Sequence, residues 1–203
     1  MEPFVFHRGL AAPIDAINLD TDQILPARFL RKRRSDPEYK TFLFHDLRFD
    51  PVGNENQNFT LNQEAFRGAT IIVGNSNFGG GSSREAAVFA LEAFGIRSVI
   101  APNFGDIFYN NCLKNGLLPI VLTKPQTDQL RKTLHQNPGS RIDVDLNEQR
   151  VSTDNGITYA FEINDTAKSN LMLGLGQIGL TMMHAQRISE FEARYNAQLY
   201  SEC

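Results

Sequence analysis

Hydrophobic residues follow two alternating patterns in the central part of the chain, and their order predicts an α/β fold. Short apolar runs at 68–74, 97–102 and 117–123 have the length and composition of buried strands. The two stretches between them, which end at Gly95 and Gly116, carry apolar residues at helical spacing. The order strand, helix, strand, helix, strand predicts a βαβαβ unit with a parallel three-stranded core.

The chain on either side of this core follows other patterns. A short strand is predicted within 4–14, followed by a polar loop. Residues 30–58 are rich in charge, Asn and Pro, and they predict a mobile loop that contacts substrate. Beyond the core, 141–164 alternates apolar and polar residues across turn signals at Asn147 and Asn155. This alternation predicts additional antiparallel strands.

The C-terminal segment 165–203 predicts a helical extension. Its helices are expected to break near Gly174, Gly176 and Gly179. The last helix places four apolar residues at helical spacing, namely Ile188, Phe191, Tyr195 and Leu199. At 203 residues, the chain 1–203 is expected to form a single α/β domain with this helical tail.

Composition and charge exclude several classes of function. The chain is 41% hydrophobic and 21% charged, which is ordinary for a globular protein. Its formal net charge of -3 argues against a nucleic-acid or membrane-surface partner, because both attract basic proteins. Cys112 and Cys203 are too few and too far apart for a disulfide framework or a metal site, so no metal is expected on this chain. Without a signal-peptide pattern, the expected location is the cytoplasm.

The stretch "NFGGGSSREAAVF" carries the main candidate site. It leaves a predicted parallel strand and enters a helix, which places it at the edge where open α/β sheets bind ligands. Gly79, Gly80 and Gly81 allow backbone N–H groups to approach a ligand closely, and the helix N-terminus favours an anion. Arg84 adds a planar fork that suits a carboxylate, although phosphate is also compatible with these groups.

Two familiar motifs do not fit this loop, and one simpler interpretation does. Arg84 stands where a dinucleotide-binding fingerprint or a serine-hydrolase elbow requires glycine. The simpler interpretation takes Ser82 and Glu85 as a capping box and leaves Arg84 solvated. A cap needs one hydroxyl and no triple glycine, so the glycines favour a binding site.

Three motifs together, "DTDQILPARFL", "NFGGGSSREAAVFAL" and "NFGDIFYNNCLKNGLLPI", resemble the 3-isopropylmalate dehydratase small-subunit family. This family is related to the swivelling domain of aconitases, and the resemblance extends over essentially the whole chain. It implies a three-layer swivelling domain that completes its active site with a separate large subunit. The [4Fe-4S] cluster of the family lies on that large subunit, so no cofactor is expected on this chain.

The resemblance also implies a hydro-lyase reaction and roles for individual residues. The enzyme would move a hydroxyl between neighbouring carbons of a dicarboxylate in leucine biosynthesis, with Ser82 as the base that exchanges a proton. Backbone donors, the helix dipole and Arg84 would stabilise the serine alkoxide. Asp22 matches an active-site aspartate, although a turn-forming aspartate is equally compatible with its sequence. The implied substrate-binding residues are Arg84, Ser83, Gly80, Gly81 and Arg28.

Two other functions remain open at this point. The substrate could be a homoaconitate or a methylmalate-type acid, or the chain could be a non-catalytic dicarboxylate-binding module. The basic residues Arg31 to Arg34 attract anions but suit a solvated surface as well. Cys112 lies on an apolar helical face and is expected in the core. No catalytic role is assigned to the four histidines, which are His7, His45, His135 and His184.

Overall fold

A mixed β-sheet forms the centre of the protein. The computed structural model describes residues 1–81 and 84–201. The strands are β1 (Phe6–Pro13), β2 (Ile71–Val73), β3 (Ser98–Ala101), β4 (Leu118–Val121), β5 (Arg141–Asp145), β6 (Arg150–Thr153) and β7 (Thr158–Ala160). They follow the order β4-β3-β2-β1-β5-β6-β7. Strands β1 to β4 are parallel to one another. The pairs β1–β5, β5–β6 and β6–β7 are antiparallel.

The predicted three-stranded parallel core is confirmed and is one strand wider than expected. Strands β2, β3 and β4 coincide with the three predicted apolar runs. The early strand β1 joins them, because its residues Ala11 to Pro13 pair in parallel with β2. The first half of β1, from Phe6 to Leu10, pairs with β5. Strand β1 therefore connects the parallel and antiparallel halves of the sheet.

The helices lie on both faces of the sheet and in the C-terminal segment. They are α1 (Thr21–Ile24), α2 (His45–Arg48), α3 (Glu85–Phe94), α4 (Asp106–Asn115), α5 (Lys124–Gln136), α6 (Asp165–Leu173), α7 (Gln177–Met182) and α8 (Ala185–Ser201). Short 3₁₀ turns occur at Ala27–Phe29, Tyr39–Thr41, Thr60–Asn62 and Glu64–Phe66. Within the described ranges, no helix combines the length and hydrophobicity that a membrane crossing requires.

Alternating strand residues build two hydrophobic cores, one on each face of the sheet. Ile72 and Val99 pack on one face with buried residues of α3 and α4, including Cys112 as predicted. Ile71 and Ile100 pack on the opposite face with α5, α6 and the inner side of the antiparallel strands. The sheet is thus covered on both faces, which confirms the three-layer α/β fold.

Helices α3 and α4 differ in detail from the sequence-based expectation. Helix α3 is apolar over most of its surface, but it buries only one face, and Glu92 and Ala93 are not buried. The Arg34 guanidinium covers part of its outer surface by stacking 4.3 Å from the centre of the Phe89 ring. In α4, Ile107 is apolar like its buried neighbours Phe108 and Cys112, but it is 51% exposed in the first turn. The predicted stops are confirmed, since the glycines after both helices have positive φ.

Helix α5 was not predicted from the sequence. Its apolar stripe is sparse, because its buried residues include only two leucines, Leu130 and Leu134, beside polar groups. The available signal was its N-terminus, where Thr123 forms a capping box with Gln126 and a proline occupies the first turn. This helix covers β1, β2 and β3 on the side opposite α3.

The segment 30–58 contains short helical turns and a buried aromatic cluster. Tyr39, Phe42 and Phe44 are at most 5% exposed and belong to the core beside α3. The buried Arg48 guanidinium donates to Oδ1 of Asn62 at 3.1 Å. These contacts anchor the segment on the domain, and its mobility with substrate stays a prediction.

The C-terminal segment is helical as predicted, with one correction. The chain breaks at Gly174, which is left-handed, and at Gly176, the N-cap of α7. Gly179 does not break a helix, because the backbone hydrogen bond from Met183 to Gly179 continues the turn. The break that precedes α8 comes instead at residues 183–184. Ile188, Phe191 and Tyr195 lie on α8 at the predicted spacing and are exposed; the side chain of Leu199 lies outside the described part.

Candidate functional site

The glycine loop follows β2 directly, at the carboxyl edge of the parallel strands. The segment that precedes α1 runs alongside it in parallel. The backbone N–H of Gly79 donates to the carbonyl of Leu19 at 2.7 Å, and the N–H of Thr21 donates to the carbonyl of Gly80 at 3.1 Å. Two of the three sequence motifs are therefore adjacent at this edge.

The three glycines have different structural roles. Gly79 has φ of 70°, and a Cβ atom there would lie 2.3 Å from Cγ of the Phe108 ring. Packing of α4 therefore explains this glycine, which corrects the expectation that all three exist for a ligand. Gly80 is also buried, whereas Gly81 is exposed and has φ of 85°. Of the three, Gly81 presents its backbone to solvent.

The start of α3 differs from the predicted capping box. The N-cap is Arg84, in an extended conformation, so Arg84 lies before the first turn and not within it. Oε1 of Glu85 accepts a hydrogen bond of 2.8 Å from the amide of Asn115 at the end of α4. Ser82 and Ser83, the predicted base and its neighbour, lie outside the described residues. Their roles stay predictions.

Asp22 and Arg84 meet at the loop and form an ion pair between Oδ1 and Nη1. The Arg84 side chain is 18% exposed and the Asp22 side chain 49% exposed. Asp22 lies in the first turn of α1, whose position is fixed by a capping box between Asp20 and Gln23. The structure thus joins two residues that are 62 positions apart in sequence. Arg84 is paired with a carboxylate, so the solvated-arginine interpretation is wrong.

Arg28 binds a carboxylate of its own segment. Its guanidinium donates to both oxygens of Asp46, with Nη1 to Oδ2 at 2.8 Å, and contacts Nδ1 of His45 at 3.0 Å. The hydrogen bond from Arg28 holds the pKa of the Asp46 carboxyl below its ordinary value. The same residues line a surface cavity of about 520 Å³ together with Phe49. Arg28 is therefore partnered on the surface, and its predicted contact with substrate stays a prediction.

The basic cluster Arg31 to Arg34 is partly held by side-chain contacts. Arg34 pairs with Glu92 of α3, and Lys32 lies 5.7 Å above the ring of Phe42. Both contacts attach this surface to the domain.

A side-chain network behind the glycine loop was not predicted from the sequence. Arg131 of α5 donates to the carbonyl of Gly74 at 2.7 Å and to Oδ1 of Asp15 at 3.1 Å. His135, one turn further along the helix, contacts Oδ2 of Asp15 at 2.7 Å. No local pattern signals these contacts, because Arg131 and Gly74 are 57 positions apart.

The described part of the chain contains a buried cysteine and no candidate metal site. Cys112 is completely buried, and burial raises the pKa of its thiol well above the ordinary value. Residues 1–81 and 84–201 contain no group of three or more His, Cys, Asp or Glu side chains that could hold a metal ion.

A family-model match over more than half of the chain defines the class of the protein as an aconitase-type domain. A family model described as Aconitase C-terminal domain matches residues 1–125. A second model, LeuD_N, matches residues 128–165. A third model, which describes the C-terminal domain of the 3-isopropylmalate dehydratase small subunit, matches residues 178–198.

Full-length relatives narrow this class to one family. A protein named 3-isopropylmalate dehydratase small subunit in Brevibacillus brevis is 44% identical, covering 96% of this chain and 100% of the relative. The relative of that name in Roseobacter denitrificans is 48% identical, covering 95% of both chains. A crystal structure of 3-isopropylmalate dehydratase (leuD) from Methanocaldococcus jannaschii matches with a TM-score of 0.69 and 28% identity, over 92% of this chain and 99% of that one. The chain belongs to the 3-isopropylmalate dehydratase small-subunit family, which confirms the resemblance found in the sequence.

Proposed function

We propose that this chain is the small subunit of a 3-isopropylmalate dehydratase, a hydro-lyase that interconverts 2-isopropylmalate and 3-isopropylmalate in leucine biosynthesis. The observation that carries the proposal is the match of 44–48% identity over 95–96% of the chain to relatives of that name. Those names favour this reaction over a homoaconitase or methylmalate-type hydro-lyase. They also favour an enzyme subunit over a non-catalytic binding module.

The proposed partner is a large subunit. The name small subunit implies a larger partner, and we propose that this partner carries a [4Fe-4S] cluster. Bound there, the cluster supplies a Lewis acid for the departing hydroxyl of the substrate. We expect no cluster on this chain, because its two cysteines, Cys112 and Cys203, are 91 positions apart in the sequence. The complex is proposed to act in the cytoplasm, without nucleic-acid or membrane partners.

Proton transfer is assigned to Ser82. As an alkoxide, its Oγ takes a proton from the carbon next to the hydroxyl-bearing carbon, the hydroxyl leaves, and a carbon–carbon double bond forms. The proton then returns to the carbon that lost the hydroxyl, and water adds a hydroxyl to the other carbon. Arg84 follows Ser82 by two positions in the sequence, which supports this role, since a nearby cation lowers the free energy of an oxyanion.

Substrate binding is assigned to groups of the glycine loop and of the segment that carries Asp22 and Arg28. We propose that Arg84 and Arg28 bind substrate carboxylates, and that the backbone of Gly80 and Gly81 and the hydroxyl of Ser83 contribute hydrogen bonds. Asp22 is proposed as the active-site aspartate that orients the Arg84 guanidinium, because the two side chains form an ion pair. Of the two glycines, Gly81 has the better exposure for such a contact.

The test is solvent-deuterium exchange by the enzyme assembled anaerobically with its large subunit. Ser82→Gly should assemble and lower kcat by roughly two to four orders of magnitude, the contribution of a proton-transfer group. Ser83→Gly is the comparison variant: it adds the same backbone freedom and retains Ser82, so losing its proposed substrate contact should raise KM and leave kcat much less changed. Near-normal exchange in Ser82→Gly would eliminate Ser82 as the base and make Ser83 the candidate. Parallel assays with 2-isopropylmalate, homoaconitate and citrate test the substrate itself.

A further inference from the structure

A buried arginine lies behind the glycine loop, on the opposite face of the sheet from α3. The Arg131 side chain is 8% exposed and comes from α5, which packs in the other hydrophobic core. Burial of a guanidinium is unfavourable unless its donors are satisfied. Arg131 satisfies them with three acceptors, the carbonyl of Gly74, Oδ1 of Asp15 and Oδ1 of Asp128.

Two of these acceptors lie where the two loops of the candidate site begin, and each such position is called the root of its loop. Gly74 follows β2 and begins the stretch that leads to Gly79 and Arg84. Asp15 comes two residues after β1 and begins the stretch that leads to α1 and Asp22. One guanidinium therefore binds both segments at the point where each leaves the sheet.

The two segments are also connected to each other beyond this point. The amide of Asn75 donates to the carbonyl of Asp15 at 2.9 Å, and the N–H of Asn18 donates to the carbonyl of Ser76 at 2.9 Å. The N–H of Gly79 donates to the carbonyl of Leu19 at 2.7 Å. A displacement of either root would thus be transmitted along this ladder to the Asp22–Arg84 pair.

We propose that Arg131 is a positioning residue of this enzyme: it fixes the separation of the two loops and thereby the placement of Arg84 and Asp22. Its effect on catalysis rests on the function proposed above, whereas its effect on the loops does not. His135 is the second support of Asp15, on the more exposed side of the network. Small displacements of catalytic groups lower rates strongly, because reacting atoms must meet within a narrow range of distance.

Three variants and a control separate this role from a general contribution to stability. Arg131→Met keeps much of the side-chain volume and removes every donor. Arg131→Lys keeps the charge but cannot reproduce three divergent hydrogen bonds. Asp15→Asn weakens the contact to one loop only. Lys132→Met is the control, because Lys132 is the exposed neighbour on the same helix.

The first measurement is amide hydrogen exchange on the isolated chain, which needs neither substrate nor large subunit. In Arg131→Met, the amides of Asn18 and Gly79 should exchange at least tenfold faster relative to core amides such as Ile100. Arg131→Lys and Asp15→Asn should show smaller increases, and Lys132→Met none. Equal acceleration of loop and core amides, or unchanged loop amides, would overturn the proposal.

The second measurement is steady-state activity of the assembled enzyme, well below its unfolding temperature. Arg131→Met should lower kcat/KM at least thirtyfold, mainly through kcat, and Arg131→Lys should recover part of the loss. The double variant Arg131→Met/Asp15→Asn should have nearly the same kcat/KM as Arg131→Met, since both changes remove the same Arg131–Asp15 hydrogen bond. Loosened loops with normal kcat would show that Arg131 has no role in catalysis. A wild-type complex without isopropylmalate activity would refute the proposed function and leave the loop result standing.

Discussion

At the scale of single residues, Arg84 already holds a carboxylate, that of Asp22, at the position where a substrate carboxylate is proposed to bind. A guanidinium has several donors arranged along two edges, so it can hold one carboxylate while binding a second. The Asp22 side chain is about half exposed, whereas the Arg84 side chain is 18% exposed. The ion pair therefore orients the Arg84 guanidinium within the chain, and its contact with a substrate carboxylate stays a prediction.

This arrangement predicts the outcome of Arg84→Lys. An ammonium keeps the charge and its attraction to Asp22, but it lacks the planar fork for a carboxylate. The assembled enzyme should lose about 2 kcal/mol or more of substrate binding, measured as a rise in KM or a fall in kcat/KM. Arg34→Lys is the control, because Arg34 is also ion-paired but with Glu92 on the outer side of α3. Unchanged kinetics in Arg84→Lys would show that Arg84 does not bind the substrate.

At the scale of secondary-structure elements, the sequence pattern predicted the strands and helix ends that depend on neighbouring residues in the chain. The strands β2 to β4 and the stops of α3 and α4 followed from apolar runs and from glycines. Helix α5 was missed because its buried face includes Thr127 and Arg131, which weakens the apolar periodicity. The N-cap at Arg84 was not predicted. The Glu85 side chain accepts a hydrogen bond from Asn115 of α4, and the spacing of residues within α3 cannot reveal such a contact between helices.

The candidate site also contains features that the sequence predicts and contacts that only the fold reveals. The glycine loop and Arg84 were predicted to form an anion site from their residues alone, whereas Asp22 was predicted from a family resemblance, and both roles stay predictions. The pairing of Asp22 with Arg84 and the link from Arg131 to Gly74 could not be predicted, because they join residues 62 and 57 positions apart. Only the folded sheet edge brings these groups together.

The glycine loop also yields a comparison between two neighbouring glycines. Gly79→Ala should destabilise the domain by about 2–5 kcal/mol, because a left-handed alanine is strained and its Cβ would overlap the buried Phe108 ring. Gly81→Ala should cost only about 1 kcal/mol, because its φ is equally unfavourable but the nearest atom of the described residues, Cβ of Asp20, would lie 3.5 Å from the added Cβ. Denaturant midpoints of the isolated chain measure both. Equal losses would show that φ alone, without packing, determines the need for glycine here.

At the scale of the whole molecule, the chain combines a compact body with a C-terminal helix that adds little to it. In the body, Leu171 of α6 is completely buried, and its carbonyl accepts the N–H of Phe4 at 2.9 Å. Helix α8 differs, because Ile188, Phe191 and Tyr195 are 39%, 59% and 52% exposed. The Phe191 and Tyr195 rings stack on each other within α8. The boundary between body and tail is therefore expected after α6, although sequence patterns placed it at residue 165.

Two truncations test this boundary. Removal of 185–203 takes away exposed surface of α8, so the melting temperature of the isolated chain should change by no more than about 2 °C. Removal of 165–203 also deletes Leu171 and leaves a cavity in the core, a loss of about 2–5 kcal/mol. For a chain of this length that corresponds to a decrease of roughly 5–15 °C, measurable by calorimetry. A large decrease on removal of α8 alone would show that its apolar side chains stabilise the body, and the division proposed here would be wrong.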